Sequence, residues 1–495
     1  MFTKRISKSQ FMMGKQCLKR LWLYNYRRDL IPPVDPARRH IFEEGHAIGE
    51  LARRYFPDGR LADADHMHIP EALEQTAGLI KGGAEIIYEG AFAFNNVLVR
   101  CDILKRNQDG SWDLIEVKGS TEVKNEHLQD VAVQRYVAEG AGLKIRRAEL
   151  MRVDNTYVKN GPIVPGKFFV RDDITDATAA MIPGIGADLQ RFMAVLACAD
   201  VPTIDIGRQC SVPYECDFCG HCWKDVPEYS IYDIPFLSWE KKNALRGMGI
   251  LRFKDVPDSF ELNDAQRLCL RVEKTGETVL DKAGIAEFLK KLEYPLYHID
   301  FETIMPGLPI YDGSRPYQQI PFQLSIHVQD GPGAEPRHFE YLGDGRKDPR
   351  PGLIGFILEH IGPKGTLLAY NSAFEAKRIE ELARDFPDKA DALSGLAGRM
   401  ADLMQPFRER AYVHQGFHGR YSIKKVLPAL IPDMTYEGLP IANGGDAQLA
   451  YYNMLSGGLT SAETEKLRRD LKVYCGQDTL AMVKILEHLR QICGI

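Results

Sequence analysis

Apolar residues recur at helical spacing through residues 7–26, where Phe11, Leu18, Leu21 and Trp22 fall near one face. They do so again through residues 37–56, on Phe42, Ile48, Leu51 and Tyr55. Pro32, Pro33 and Pro36 separate these two predicted helices. From Ala84 the period shortens to two, which predicts strands over 85–94, 97–105 and 112–118. Asn95-Asn96 and Gln108-Asp109-Gly110 are the turns between them. A helix is expected over 125–139. Residues 229–294 follow a helical pattern punctuated by Gly and Pro. Strands are then expected over 297–302, 322–328 and 338–342, a helix over 353–361, and a strand over 366–370. A helix through Ile379 and Leu382 comes next, and a long amphipathic helix holds Tyr474 to Asp478.

The alternation of strands with helices predicts an α/β protein, and 495 residues suffice for two to four domains. Hydrophobic residues make up 44% and charged residues 26%, the balance of a globular chain. No apolar run reaches the length of a membrane span, and the polar start lacks a signal-peptide core, so the expected location is cytoplasmic. The net charge of −5 announces no polyanion partner, although a local basic channel would be enough to bind one.

Chemistry enters with Tyr297-His-Ile-Asp300-Phe-Glu302. On a strand, Asp300 and Glu302 project from one face, and neighbouring carboxylates that repel each other favour a hard cation such as Mg²⁺ or Mn²⁺. Glu375, where the strand after Thr366 hands over to a helix, supplies a third carboxylate. Tyr474 and Asp478 stack at i and i+4 on the last helix. A second candidate centre lies upstream. Glu116 and Lys118 share a strand face, which sets a metal-binding carboxylate beside an ammonium able to orient or deprotonate water, and Asp102 on the preceding strand completes a ligand pair. Of ten cysteines, Cys210, Cys216, Cys219 and Cys222 fall within one short segment, which in a reducing compartment points to metal binding. Cys216-x-x-Cys219 suits tetrahedral Zn²⁺.

Asp300-Phe-Glu302, Asn371-x-x-Phe374-Glu375 and Tyr474-x-x-x-Asp478 resemble the three motifs of the DnaQ-like 3′–5′ exonucleases of the ribonuclease H-like fold. The resemblance implies Asp300, Glu302, Glu375 and Asp478 as metal ligands and Tyr474 as a catalytic residue. Glu375 stands where that family usually has Asp. Asp102, Glu116-x-Lys118 and the helix carrying Gln134 resemble the PD-(D/E)xK nuclease core, and the upstream His46 points to its RecB-like branch. That resemblance implies His46, Asp102 and Glu116 as metal ligands, with Lys118 and Gln134 catalytic. The branch's usual Gln-x-x-x-Tyr is not reproduced, since Tyr136 is two residues from Gln134. Members such as AddB and the CRISPR-associated exonucleases hold a [4Fe–4S] cluster on one cysteine before the core and three after it. By that likeness Cys17, Cys210, Cys216 and Cys222 are the ligands, with Cys219 as substitute and zinc as the competing occupant.

The chain as a whole resembles bacterial fusions of these two nuclease types. The implied division is a restriction-endonuclease-like core with metal-cluster cysteines over 1–226, a helical linker over 227–293 with a helix-hairpin-helix-like stretch, and a ribonuclease H-like exonuclease domain over 294–495. The implied function is a metal-dependent nuclease, a DNA exonuclease with two active sites, acting in DNA processing, repair or defence. Two alternatives stay open: a nucleic-acid-binding scaffold with partly degenerate cores, and an RNA-trimming exonuclease.

Overall fold

The structure is a computed structural model that describes residues 5–65 and 67–495. The polar start that argued against a leader lies largely outside the described residues. The chain divides into two compact units of mixed α/β structure, one comprising Met1–Asp225 with Pro306–Gln318 and the other Val226–Met305 with Gln319–Ile495. No helix among the described residues is long and apolar enough to cross a membrane.

In the first unit, strands β1 (Ile6–Ser7), β2 (Arg60–Leu61), β3 (Ile86–Phe94), β4 (Val97–Arg106), β5 (Trp112–Lys118), β6 (Ile145–Val153) and β7 (Phe169–Asp173) form one sheet. Its order is β2-β3-β4-β5-β6-β7, with β1 paired in parallel to the start of β4. The turn at Asn95-Asn96, with both residues at positive φ, closes the β3–β4 hairpin as its sequence requires. Ladder pairing between β4 and β5 covers Ile103–Arg106 against Trp112–Ile115. Beyond it, the Asp102 carboxylate accepts from the Val117 N–H at 2.8 Å. Asp102 and Glu116 therefore sit where the two strands leave their common ladder.

The helix expected over 7–26 is two, Lys8–Gln16 and Leu18–Tyr26. The extended backbone of Cys17 (φ −162°, ψ 123°) interrupts it, and Ser7 caps the first helix in a reciprocal capping box with Gln10. The helices Pro36–Arg53, Asn125–Gly140 and Thr175–Ala197 complete the unit's framework. The apolar faces of Val99, Leu114, Val133, Leu150 and Phe192 join in one buried cluster.

The second unit holds β8 (Val279–Leu280), β9 (Leu296–Ile304), β10 (Ile320–Gln329), β11 (Arg337–Leu342), β12 (Thr366–Ala369), β13 (Met400–Asp402) and β14 (Tyr412–Val413). Five of them form a sheet of order β11-β10-β9-β12-β13, antiparallel around β10 and parallel at β12. Gly365, at φ +92°, lets the chain enter β12 beside Pro295, where any Cβ would meet the Pro295 carbonyl at 2.1 Å. One face of the sheet is apolar, with Ile299, Phe301, Leu324 and Ile326 packed against the helices Arg350–His360 and Ala373–Asp385. The other face carries His298, Asp300 and Glu302 on β9, opposite His327, Ser325 and Gln323 on β10.

The long helix Ser461–Cys493 is fastened to that polar face by hydrogen bonds. Gln323 donates to the Leu471 carbonyl at 2.9 Å, and Thr479 meets both Ser325 (2.7 Å) and His327 (2.8 Å). Residues 226–305 belong to this unit. Their helices Trp239–Gly247, Asp264–Thr275 and Lys282–Leu289 accompany β8, which pairs with β14. In the stretch likened to helix-hairpin-helix, the glycine turn after Trp239–Gly247 leads into one short 3₁₀ turn, Phe253–Asp255, because Pro257 follows at once.

Candidate functional site

In the second unit, Asp300, Glu302 and Asp478 each bring a carboxylate oxygen within 4.8 Å of the other two. Period two on β9 supplies the first pair, and the clamp between β10 and the long helix brings Asp478 to them. Glu375, in the first turn of Ala373–Asp385, lies within electrostatic reach of Asp300 and Glu302, and its buried Oε2 has no hydrogen-bond partner. The carboxylates are held above their usual range: Glu302 and Glu375 are pushed up to about 8 and Asp478 to about 6. Burial is the first cause in each, reinforced at Glu302 by the Asp478 charge and at Glu375 by Asp402. Asp300 moves the same way, through burial and then its three neighbours.

Tyr474 sits one turn before Asp478 and hydrogen bonds to it, as the i, i+4 spacing implies. Three further residues belong to this centre that the sequence reading did not select. Tyr436 donates to Asp478 Oδ1 at 2.5 Å. The Lys424 ammonium lies 5.6 and 5.7 Å from the Tyr436 and Tyr474 ring centroids and draws down the proton affinity of Glu302 and Asp478. Asp402 is held by Arg408 at 2.6 Å and by the Asn371 and Met404 N–H groups. Each arrives from a segment without a distinctive pattern, so only the tertiary fold selects it.

In the first unit, Asp102, Glu116 and Lys118 share a cleft of about 310 Å³ with His46, an exposed residue of the helix Pro36–Arg53. Lys118 Nζ bonds Glu116 at 2.7 Å and Asp130 at 2.6 Å, and Gln134 donates to the other Glu116 oxygen at 2.7 Å. A second ammonium, Lys8, reaches Glu116 at 2.9 Å and Asp130 at 3.3 Å. It is placed by the pairing of β1 with β4, a contact about ninety residues long-range in sequence. Asp130 was legible in retrospect, since it lies four residues before Gln134 on the same helix.

These groups polarise one another. Burial opposes ionisation of Glu116, but Lys118 and Lys8 outweigh it and hold its carboxyl well below the usual range. Asp102, buried and beside the Glu116 charge, is pushed up to about 7. Tyr136 is turned elsewhere: its hydroxyl accepts from Asn95 at 2.9 Å and its ring packs edge-on against Phe94. His46, Asp102 and Glu116 line the same cleft without meeting the close spacing of the other carboxylate group.

Cys17, Cys210, Cys216, Cys219 and Cys222 line one small pocket. The segment that carries the last four is tied to the N-terminal helices. Gln16 donates to the Gln209 and Tyr214 carbonyls at 2.7 Å each, and Arg20 and Arg38 both bond Asp217 at 2.7 Å. Burial pushes the Cys216 thiol up to about 12 and raises Cys219 and Cys222 as well. No three of these sulfurs meet the 4.8 Å mutual spacing seen at Asp300, Glu302 and Asp478.

A family described as a domain of unknown function, DUF2779, matches residues 297–422, a span that includes Asp300, Glu302 and Glu375 and ends before Asp478. Among curated proteins, the uncharacterized protein UU173 of Ureaplasma parvum is 26% identical over 248 residues, covering 46% of this chain and 36% of that protein. The uncharacterized MG366 homolog of Mycoplasma pneumoniae is 26% identical over 230 residues, covering 41% of this chain and 34% of that protein. The match thus spans about a third of the length of these curated relatives. Two solved structures show low-scoring likeness at 13% identity. SSO0001 has a TM-score of 0.24, covering 46% of this chain and 89% of that one. The alkaline exonuclease LHK-Exo of Laribacter hongkongensis has a TM-score of 0.23, covering 39% and 87%.

Proposed function

We propose that the protein is a divalent-metal-dependent nuclease that hydrolyses nucleic-acid phosphodiesters at two centres, with DNA the favoured substrate. The observation that carries this reading is the convergence of Asp300, Glu302 and Asp478. Three buried or half-buried carboxylates at that spacing repel one another, and the unpartnered Glu375 oxygen beside them adds an uncompensated acceptor. The donor set is all oxygen, which fits Mg²⁺ or Mn²⁺ rather than a softer ion. Hard cations bound there supply an activated water and neutralise the charge that develops on the leaving oxygen.

The chain's own groups account for the rest. Tyr436 and Tyr474 fix the Asp478 carboxylate, Tyr474 stands ready to orient the attacking water, and Lys424 supplies a positive charge beside the site. The order β11-β10-β9-β12-β13 and the long helix behind it support a ribonuclease H-like, DnaQ-like reading of this unit. In the first unit Asp102 and Glu116 are the ligand pair, His46 a third ligand from the cleft wall, Gln134 the orienter of Glu116, and Lys118 the residue that aligns or deprotonates water. That geometry supports a PD-(D/E)xK reading.

For the five-cysteine pocket we favour an iron–sulfur cluster, with zinc the competing occupant. A tetrahedral zinc with bonds of about 2.3 Å draws its sulfurs to roughly 3.8 Å from one another. No three of these sulfurs lie within 4.8 Å of one another. Cys17, Cys210, Cys216 and Cys222 are the proposed [4Fe–4S] ligands, with Cys219 in reserve.

The test is to incubate anaerobically purified protein with labelled single- and double-stranded DNA and RNA in Mn²⁺ or in EDTA. Cutting in Mn²⁺ that EDTA abolishes is expected. Absence of cutting on every substrate, with no heat of Mn²⁺ binding by calorimetry, would overturn the proposal.

A further inference from the structure

Beside the first unit's carboxylates opens a second, larger cleft of about 650 Å³, sharing Lys8, His46 and Lys118 with the site itself. Its volume is that of a small-ligand pocket. Two aromatic side chains stand in its walls with much of their rings in solvent: Phe42, 48% exposed, and Tyr214, 55% exposed. Both rings are therefore open to a ligand that enters the cleft. Met12 and Met13 supply the soft apolar wall between. Basic and acidic side chains meet in its floor: Lys8 and Lys118 face the same space as Asp130 and Glu126, and both lysines are paired with Glu116 and Asp130.

Tyr214 comes from the cysteine segment, and its phenol lies within electrostatic reach of Lys118, Asp130 and Glu126. Its backbone carbonyl is pinned by Gln16, and Asp217, three residues on, is clamped by Arg20 and Arg38. Arg38 in turn lies 5.6 Å from the Phe42 ring centroid. The Arg38–Asp217 pair thus ties the segment that carries Tyr214 to the helix that carries Phe42.

We infer that this cleft is the subsite for an unpaired nucleotide strand, whose bases stack on Tyr214 and Phe42 while its phosphates run over Lys8 and Lys118 toward the carboxylates. The inference rests on the nuclease reading for direction only. Aromatic faces for the bases beside lysine side chains for the phosphates are a general way of binding a strand without reading its sequence. Duplex bases are already stacked on their neighbours and cannot use such faces. The cysteine pocket thereby acquires a role in substrate binding, since it anchors the segment that presents Tyr214.

The experiment is anisotropy of fluorescein-labelled single strands of DNA and of RNA, with the matching blunt duplex, on the full chain in EDTA so that nothing is cut. Tyr214→Ala should weaken strand binding about 5- to 150-fold, the stacking worth of one base. Tyr214→Phe should bind within about twofold of wild type, because the ring and not the hydroxyl makes the stack. The duplex should be indifferent to both. The sugar whose binding falls on Tyr214→Ala identifies the substrate strand.

A 2-aminopurine placed near the strand end should also be quenched by the wild-type protein, a reading that needs no variant to fold. Unchanged strand affinity in Tyr214→Ala and Phe42→Ala, equal losses in Tyr214→Phe and Tyr214→Ala, or unquenched 2-aminopurine would each overturn the subsite. Binding in EDTA is independent of cutting, so an inactive protein that still shows the Tyr214 dependence refutes the nuclease reading alone. Cutting that survives without that dependence refutes the subsite alone.

Discussion

A buried carboxylate oxygen with no hydrogen-bond partner, as at Glu375, carries a desolvation cost that a bound cation would remove. Its side chain is one methylene longer than aspartate, and a shift of about 1 Å at a reacting centre can cost about a hundredfold in rate. Glu375→Asp should therefore lower Mn²⁺-dependent cleavage by roughly ten- to a hundredfold, measured as single-turnover rates. A rise in activity would show that the position is degenerate.

The same cluster sets a pH dependence. Glu302 and Glu375 near 8 and Asp478 near 6 lie above the ordinary carboxylate range, so the folded state holds protons that the unfolded chain releases. The metal-free protein is favoured by these groups below about pH 4, and that contribution is lost as pH rises through 6 to about 8. Thermal melts in EDTA should show Tm falling from pH 5 to 8.5, Mn²⁺ restoring it most at the alkaline end, and Asp300→Asn flattening the slope. A metal-free Tm that rises over this interval would contradict the reading. Tyr474 and Asp478 were legible because helical spacing alone puts them together. Lys8, Lys424 and Tyr436 were not, because their partners lie tens of residues or more away and no local period marks them.

At the scale of elements, strand periodicity identified β3, β4, β5, β9 and β10 to within a few residues, since each alternates or runs apolar between clear turns. The break at Cys17 escaped it, because the apolar spacing continues through a residue whose backbone is extended. That break sets the Cys17 sulfur in the pocket with the later cysteines. Since ligation by thiolates is coupled to folding, the proposed [4Fe–4S] ligation requires that Cys17→Ala lower the iron and sulfide content and loosen the neighbouring helices. Metal analysis checks the first effect. Faster amide exchange in Lys8–Gln16 and in residues 207–223, with the second unit unchanged, checks the second. One zinc and no iron in the wild-type protein would replace the cluster with a structural zinc site, and unchanged metal content in Cys17→Ala would remove that residue from the ligand set.

For the whole molecule, each unit holds its own carboxylate centre, and the two are built on unrelated devices: a parted β4–β5 ladder with paired lysines in one, and a β9 strand face closed by the long helix in the other. Local motifs in the sequence singled out the proposed ligands of both centres, Asp102 and Glu116 in one and Asp300, Glu302 and Asp478 in the other. The sequence did not disclose that residues 226–305 belong to the second unit or that Pro306–Gln318, between β9 and β10, belongs to the first. There Gly307 donates to Glu44 and Asp312 pairs with Lys159, contacts between residues more than 150 positions apart that no period announces. The proposal of two centres requires separable activities. The direct measurement is the Mn²⁺-dependent cleavage rate, on the same panel of labelled strands and duplexes, of wild type, Asp300→Ala, Lys118→Ala and the double variant. Each single variant should lose one set of products by at least about a hundredfold while retaining strand binding, and the double variant should lose all cutting. Undiminished cleavage in the double variant would contradict both centres at once.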